Sequence, residues 1–382
     1  MSSSSSSHHN QRLVFISYPE GLIQESNFTL ETIDSPPKPS KPSEVVVRLL
    51  HLSVDPYMRM RMNRNVPKGY FAPFSLGEPL NGGVVARVEQ VFTDEPSSSS
   101  SSTNFQVGDL VLGVLPWILE QVVDTVTTPL RRLDPNAFQD IPKSFFLGAL
   151  GMPGLTAYFG LLEICQPKAH ETVVVSAASG AVGSIVGQIA KHVIGCKRVV
   201  GISGQTSPEV IQQLRENGFD EILNYKDYNN NVEQLKQALE KACPEGIDCY
   251  FENVGGFVQD VVTLCMNKFG RIAFCGAISS YNNNLPSGES TNTTTSELEQ
   301  KYGLGLRLTS IHVVRELRTQ GFLVNSYSKQ FGEATQKLVQ WYREGQLKVF
   351  ETKEKGMHRI PHAMQRLFTG EKTGKVVVDL EY

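Results

Sequence analysis

The sequence predicts an α/β fold in which a β-rich first part precedes a doubly wound parallel sheet. Three observations carry this. Residues 11–140 alternate short apolar runs with Pro, Gly and Ser clusters. From about Thr172 the pattern changes to strand, helix, strand, helix. A small-residue loop, Ala178-x-Gly180-x-x-Gly183, joins the first of those strands to its helix. With 382 residues and 40% hydrophobic content, the chain is long enough for a sizeable core and two domains.

Met1 to Asn10 is serine with His8 and His9 and lacks the apolar stretch of a secretory signal, so it reads as a disordered tail (residues 1–10). Leu13–Ile16, Val45–Leu52, Gly82–Val91 and Leu110–Leu115 read as strands, since each is a short apolar run bounded by turn formers. Ser97 to Ser102 is a homopolymeric insert, read as a solvated hairpin loop because added loop length costs little. Phe145–Leu162 carries no charge, but Gly148, Gly151, Pro153, Gly154 and Gly160 interrupt it where a lipid-spanning helix would want Leu or Val. It reads as a buried loop and helix.

In the second part, Thr172–Ser176, Arg198–Ser203, Ile222–Asn224, Cys249–Asn253 and Gly270–Cys275 read as short apolar strands, and Gly183–Ile194, Pro208–Asn217 and Val232–Ala242 as helices between them. Parallel strands need a crossover, and these helices supply it, covering both faces of the sheet. A strand near Gly321–Val324 closes the sheet. Phe331–Glu344 then reads as an amphipathic helix, Lys348–Thr352 as a strand, Ile360–Thr369 as a helix begun by Pro361, and Lys375–Leu380 as a last strand.

Val173 to Ser184 has the order a dinucleotide loop needs: strand, small-residue turn, helix start. Gly180 lets backbone approach a pyrophosphate and Gly183 allows close packing of helix on strand, while Ala178 replaces the first glycine of the usual pattern. NAD-type sites place an acidic residue about 20 positions on to bind the ribose hydroxyls. Here no Asp or Glu occurs from Gly180 through Ser207, which removes a repulsion against a 2′-phosphate; Lys226, Arg215 and Tyr225 are candidates to hold it, favouring NADP over NAD.

Other chemistries are excluded by what they require. The balance of 36 Lys+Arg against 39 Asp+Glu offers no positive field for a nucleic acid backbone. The first 164 residues contain no cysteine, against a structural zinc lobe, and His358 and His362 lack further partners, so no metal is expected. None of the twelve tyrosines is followed four residues later by lysine, and there is no G-x-S-x-G elbow or Walker loop. The six cysteines form no C-x-x-C pair and read as reduced thiols of a cytosolic protein without a membrane anchor.

Five segments together resemble a known family: Leu52 to Arg59, Leu147 to Tyr158, the Ala178–Ser184 loop, Asn224-Tyr225-Lys226, and Phe251 to Gly256. They are similar to the zinc-free medium-chain dehydrogenase/reductases, and among these to the prostaglandin reductases, also called 15-oxoprostaglandin 13-reductases or leukotriene B4 12-hydroxydehydrogenases. The similarity runs from about Arg12 to Val378. It implies a GroES-like β-rich domain (11–141) completed by residues 323–382, with a Rossmann domain (142–322) inserted. It also implies NADPH-dependent reduction of the carbon–carbon double bond of an α,β-unsaturated ketone or alkenal, an eicosanoid-like lipid, by a monomer or homodimer. A quinone reductase, or an NADPH-binding protein without catalysis, are the alternatives.

The resemblance assigns the cofactor to Gly180, Ala181, Val182, Gly183, Tyr225, Asn253 and Lys372, and to the run Cys275, Gly276, Ala277, Ile278, Ser279, Ser280 and Tyr281. It assigns the substrate to Tyr70, Leu115, Phe322, Leu323 and Val324. Two departures stand out: the family's lysine after the second strand is missing from Gln205 to Glu209, and a late cofactor asparagine is replaced by Lys372. Tyr281 is the expected donor to the substrate carbonyl, where hydride addition to the β-carbon builds negative charge, and Tyr70 its assistant. Tyr57 and Arg59 are expected to order the pocket wall. Residues 282–300, rich in Asn, Ser and Thr, are expected to form a mobile covering loop.

Overall fold

The computed structural model describes residues 9–64, 66, 69, 71–93, 104–282 and 308–381. The serine insert, Tyr70, most of the N-terminal tail and the covering loop beyond Asn282 lie outside the described residues.

The six-stranded sheet runs, edge to edge, Glu221–Asn224, Arg198–Ser203, Thr172–Ser176, Ile247–Glu252, Met266–Phe274 and Arg318–Gly321, with every neighbouring pair parallel. The strand order reverses beside Thr172–Ser176, and there the crevice between outgoing chain segments opens. Side chains alternate across a strand. Val173 and Val175 therefore enter one core with Phe251 and Ala273, while Val174 enters another with Val200, Tyr250 and Ile272. Burial on both faces explains why these strands read as continuous apolar runs.

The seven-stranded sheet of the other part includes Glu44–Val54, Asn81–Val91 and Leu110–Pro116. Its core holds Phe15, Leu49, Leu52, Met58 and Trp117. The last strand, Lys375–Asp379, pairs antiparallel with Glu44–Val54 and parallel with Glu351–Lys355, so the C-terminal segment completes the sheet of the first part.

Two expectations are corrected. The closing strand is Arg318–Gly321, not Gly321–Val324: the chain leaves the sheet at Gly321, and Phe322 to Val324 are apolar because they line a crevice. The strand sought at Lys348–Thr352 is Glu351–Lys355; Lys348 is held before it by the Gln188 side chain, which bonds both its N–H and its carbonyl. The Gly183–Ile194 helix keeps its expected bounds, α-helical to Gln188 and π-helical from Ile189, and stops at the left-handed Gly195. Strands Phe28–Ile33 and Glu120–Asp124 and helix Gly256–Leu264 are additions. No helix among the described residues is long and apolar enough to cross a membrane.

Candidate functional site

A cavity of about 350 Å³ opens where Thr172–Ser176, Ile247–Glu252 and Met266–Phe274 end, between the parallel sheet and the first part of the chain. Gly180, Ala181, Val182 and Gly183 form one wall. Ala177 turns the chain out of its strand with φ 49°. A Cβ on Gly183 would stand 2.4 Å from the Ala177 carbonyl oxygen, so only glycine permits this turn. Ala178 fits in place of the usual first glycine because the adjacent strand supplies the space: a Cβ on Gly201 would come within 2.7 Å of the Ala178 methyl.

Opposite stands the turn after Met266–Phe274. Its backbone is tied to the neighbouring strand end: Cys275 N donates to Glu252 O at 2.9 Å, Ile278 N to Asn253 O at 3.1 Å and Ser279 N to Val254 O at 3.0 Å. Asn253 is held in turn by its Nδ2 on Ser176 O at 2.7 Å. The turn folds Tyr281 back so that its hydroxyl oxygen accepts the Ala277 N–H at 3.2 Å. A Cβ on Gly276 would lie 2.9 Å from that oxygen, so Gly276 admits the phenol. Burial holds the Tyr281 hydroxyl above the usual tyrosine range, keeping its proton available for donation. Cys275, Gly276, Ile278 and Tyr281 line the cavity. Ala277, Ser279 and Ser280 are not among its lining; the Ser279 hydroxyl donates to Val254 O beyond the neighbouring strand, and the Ser280 hydroxyl to Ala277 O within the turn.

At the end of Arg198–Ser203, a Cβ on Gly204 would stand 3.1 Å from the Tyr225 hydroxyl and 2.9 Å from Lys226 Cε. Arg215 is engaged elsewhere, with Glu221 at 3.3 Å. Lys372 lines the cavity, and burial, with Lys375 nearby, holds its ammonium down to about 8.

The first part of the chain closes the cavity with Asp55, Tyr57, Gly69 and Phe71, and Tyr57 stacks on Phe71 at 4.6 Å between centroids. Phe322, Leu323 and Val324 line it as expected. Leu115 does not: it is 1% exposed in the first part's core, because its strand turns that residue toward Trp117 and Met58. Sequence reasoning missed a buried ion pair in the wall, Lys375 Nζ to Asp55 Oδ1 at 2.8 Å, with the second carboxylate oxygen taken by the Ser53 hydroxyl. A lysine opening the apolar run Val376–Val378 was the available signal.

Among the described lining residues there are one thiol, one carboxylate and no imidazole. Asp55 is occupied by Lys375, and burial pushes the Cys275 thiol up to about 12, so this wall does not fit a zinc ion, which takes at least three protein ligands. Away from it, His362 pairs with Glu354 at 3.0 Å. The one cluster with metal-ligating spacing among the described residues is His51, Asp379 and Glu381, outside the cavity lining.

Comparison with known proteins bears on this crevice. Residues 11–128 match the family profile described as the N-terminal domain of oxidoreductase, and residues 181–340 that of zinc-binding dehydrogenase. Prostaglandin reductase 1 of Sus scrofa is 39% identical over 95% of this chain and 96% of its own. The 2-alkenal reductase (NADP(+)-dependent) of Nicotiana tabacum is 38% identical over 97% of both. The crystal structure of CurA in complex with NADPH, from Vibrio vulnificus, superposes with a TM-score of 0.80 at 36% identity, over 97% of this chain and 99% of that one.

Proposed function

The chain belongs to the prostaglandin reductase and alkenal reductase group of the medium-chain dehydrogenase/reductases, and from that premise we propose that it reduces the carbon–carbon double bond of α,β-unsaturated ketones and aldehydes with NADPH. One observation carries the proposal: a phenol, Tyr281, shares a crevice with a glycine loop shaped for a dinucleotide.

NADPH, when bound, supplies a hydride to the β-carbon. Gly180 and Gly183 would leave its pyrophosphate room, and Asn253, Gly276 and Ile278, which line the cavity, would hold its nicotinamide end. As the double-bond electrons move onto the carbonyl oxygen, Tyr281 donates its hydroxyl proton in a hydrogen bond to that oxygen. A donor so placed is worth about 3–4 kcal/mol. Because the Tyr281 oxygen already accepts the Ala277 N–H, its own hydrogen is directed elsewhere. Water delivers the last proton to the α-carbon. Phe322, Leu323 and Val324, with Tyr57 and Phe71 opposite, give an apolar slot suited to a lipid-derived enone.

The same reading divides the chain into a catalytic part, 11–141 with 323–382, around a nucleotide-binding part, 142–322. Six free cysteines accord with a cytosolic enzyme. Among the described residues, strand Arg318–Gly321 is exposed at all four positions and pairs on one side only, which favours a homodimer built on that edge. The test is NADPH oxidation followed by absorbance with 15-oxoprostaglandins, hydroxyalkenals and quinones, with NADH in parallel. Turnover of enones above quinones is expected; no absorbance loss with any enone would end the proposal.

A further inference from the structure

Residues Gly370 to Lys375 arrive from the C-terminal part of the chain, yet they cross the dinucleotide loop. Gly180 and Gly374 form a parallel bridge, and Gly374 N donates to Ser179 O at 2.8 Å. The crossing delivers a lysine: Lys372 Nζ stands 3.7 Å from where a Gly180 Cβ would be. No described residue pairs with that ammonium, although it lines the crevice and its neighbour Lys375 is fully engaged by Asp55 and Val54 O. A second lysine approaches the same segment from the other side. Lys226 Nζ lies 4.0 Å from a Cβ position on Gly370, and its stem runs beside Gly204 and the Tyr225 hydroxyl.

Resting on the reading of the chain as an NADPH enzyme, we infer that these lysines divide the cofactor's phosphates: Lys372 is the counter-ion of the pyrophosphate, and Lys226, beside the tyrosine that the family resemblance already assigns to the cofactor, supplies the charge that reads the ribose 2′-phosphate. The assignment follows from position. Gly180 is where a glycine loop lets a pyrophosphate approach backbone, and Lys372 stands over it; the end of the second strand is where such folds read the ribose, and Lys226 stands there. Burial disfavours the bare Lys372 ammonium, and an anion reverses that penalty. Lys372 thus compensates for the lysine absent from Gln205 to Glu209 by a different route, through charge on the phosphates common to both dinucleotides. Because it comes from the C-terminal part of the chain, its bond to the cofactor adds to the tie that Gly374 already makes with Ser179 O.

The test is the dissociation constant of NADPH and of NADH, each read by nicotinamide fluorescence, for the wild type, Lys372→Asn, Lys372→Arg and Lys226→Met, with unfolding midpoints confirming that each variant folds. Lys372→Asn is expected to weaken both dinucleotides by the same factor, roughly tenfold, as for loss of a charge-assisted bond, and Lys372→Arg to retain binding. Lys226→Met is expected to weaken NADPH alone. Unchanged constants in Lys372→Asn, or a loss confined to NADPH, overturn the pyrophosphate role; an equal loss of both dinucleotides in Lys226→Met, or none, overturns the 2′-phosphate role. A wild type that binds neither dinucleotide would instead end the NADPH reading itself.

Discussion

Arg59 Nε donates a hydrogen bond to Asn282 Oδ1 at 3.1 Å, across 223 positions of sequence. The guanidinium is 1% exposed, and its other acceptors are Pro19 O, Gly21 O and Asn63 Oδ1. Desolvation without a carboxylate brings it down to about 10. The first part of the chain therefore grips the residue that follows Tyr281. Asn282→Ala is expected to lower kcat/KM for an enone by roughly tenfold, the scale of one bond to a charged group, while NADPH affinity stays within about twofold. Steady-state kinetics beside cofactor titration checks this; a drop in unfolding midpoint with unchanged kinetics would make the contact purely structural.

Tyr281→Phe removes the proposed carbonyl donor and leaves the ring. The expected loss in kcat is about 10²–10³-fold, with NADPH binding retained. Undiminished turnover would reassign the donor.

Gly180 and Gly183 separate two consequences of a methyl group. At Gly183 the new Cβ meets Ala177 O at 2.4 Å, so Gly183→Ala should distort the turn and lower thermal stability. At Gly180 the nearest protein atom is at 3.1 Å and the methyl enters the cavity, so Gly180→Ala should keep its unfolding midpoint and lose NADPH. Calorimetry with and without NADPH distinguishes them, and identical behaviour of the two variants would contradict the assignment.

Cofactor affinity should also depend on pH. With its ammonium held down to about 8, Lys372 is charged below that pH and neutral above it, so attraction for the pyrophosphate is present at the lower pH and fades as pH rises. The other cations facing this segment are Lys375, itself held below the usual lysine range by burial but paired with Asp55; Arg366, whose Nε donates to Glu371 O at 2.7 Å and whose guanidinium also pairs with Glu354; and Lys226. The NADPH dissociation constant is expected to rise between pH 8 and 9.5 in the wild type and to stay flat in Lys372→Asn. A flat wild-type profile would count against a charged role for Lys372.

Much of the parallel sheet was legible because its evidence is local. Thr172–Ser176 and Arg198–Ser203 match their expected bounds, as do helices Val232–Ala242 and Ile360–Thr369. Reading failed where one local signal has two physical sources. Phe322 to Val324 is as apolar as a strand, but its burial comes from a crevice wall; Leu115 is as apolar as a pocket residue, but pleating points it into the core.

By itself the sequence determined the strand and helix periods, the glycine loop and the missing acidic residue that favours a phosphorylated ribose, because backbone sterics and short spacings act between near neighbours. Tertiary structure alone decided the crevice wall: that Asp55 meets Lys375 across 320 positions, that Arg59 holds Asn282, and that Lys372 reaches over Gly180. Those pairings depend on how two sheets pack, and packing brings together charges whose separation along the chain carries no record of their distance in space.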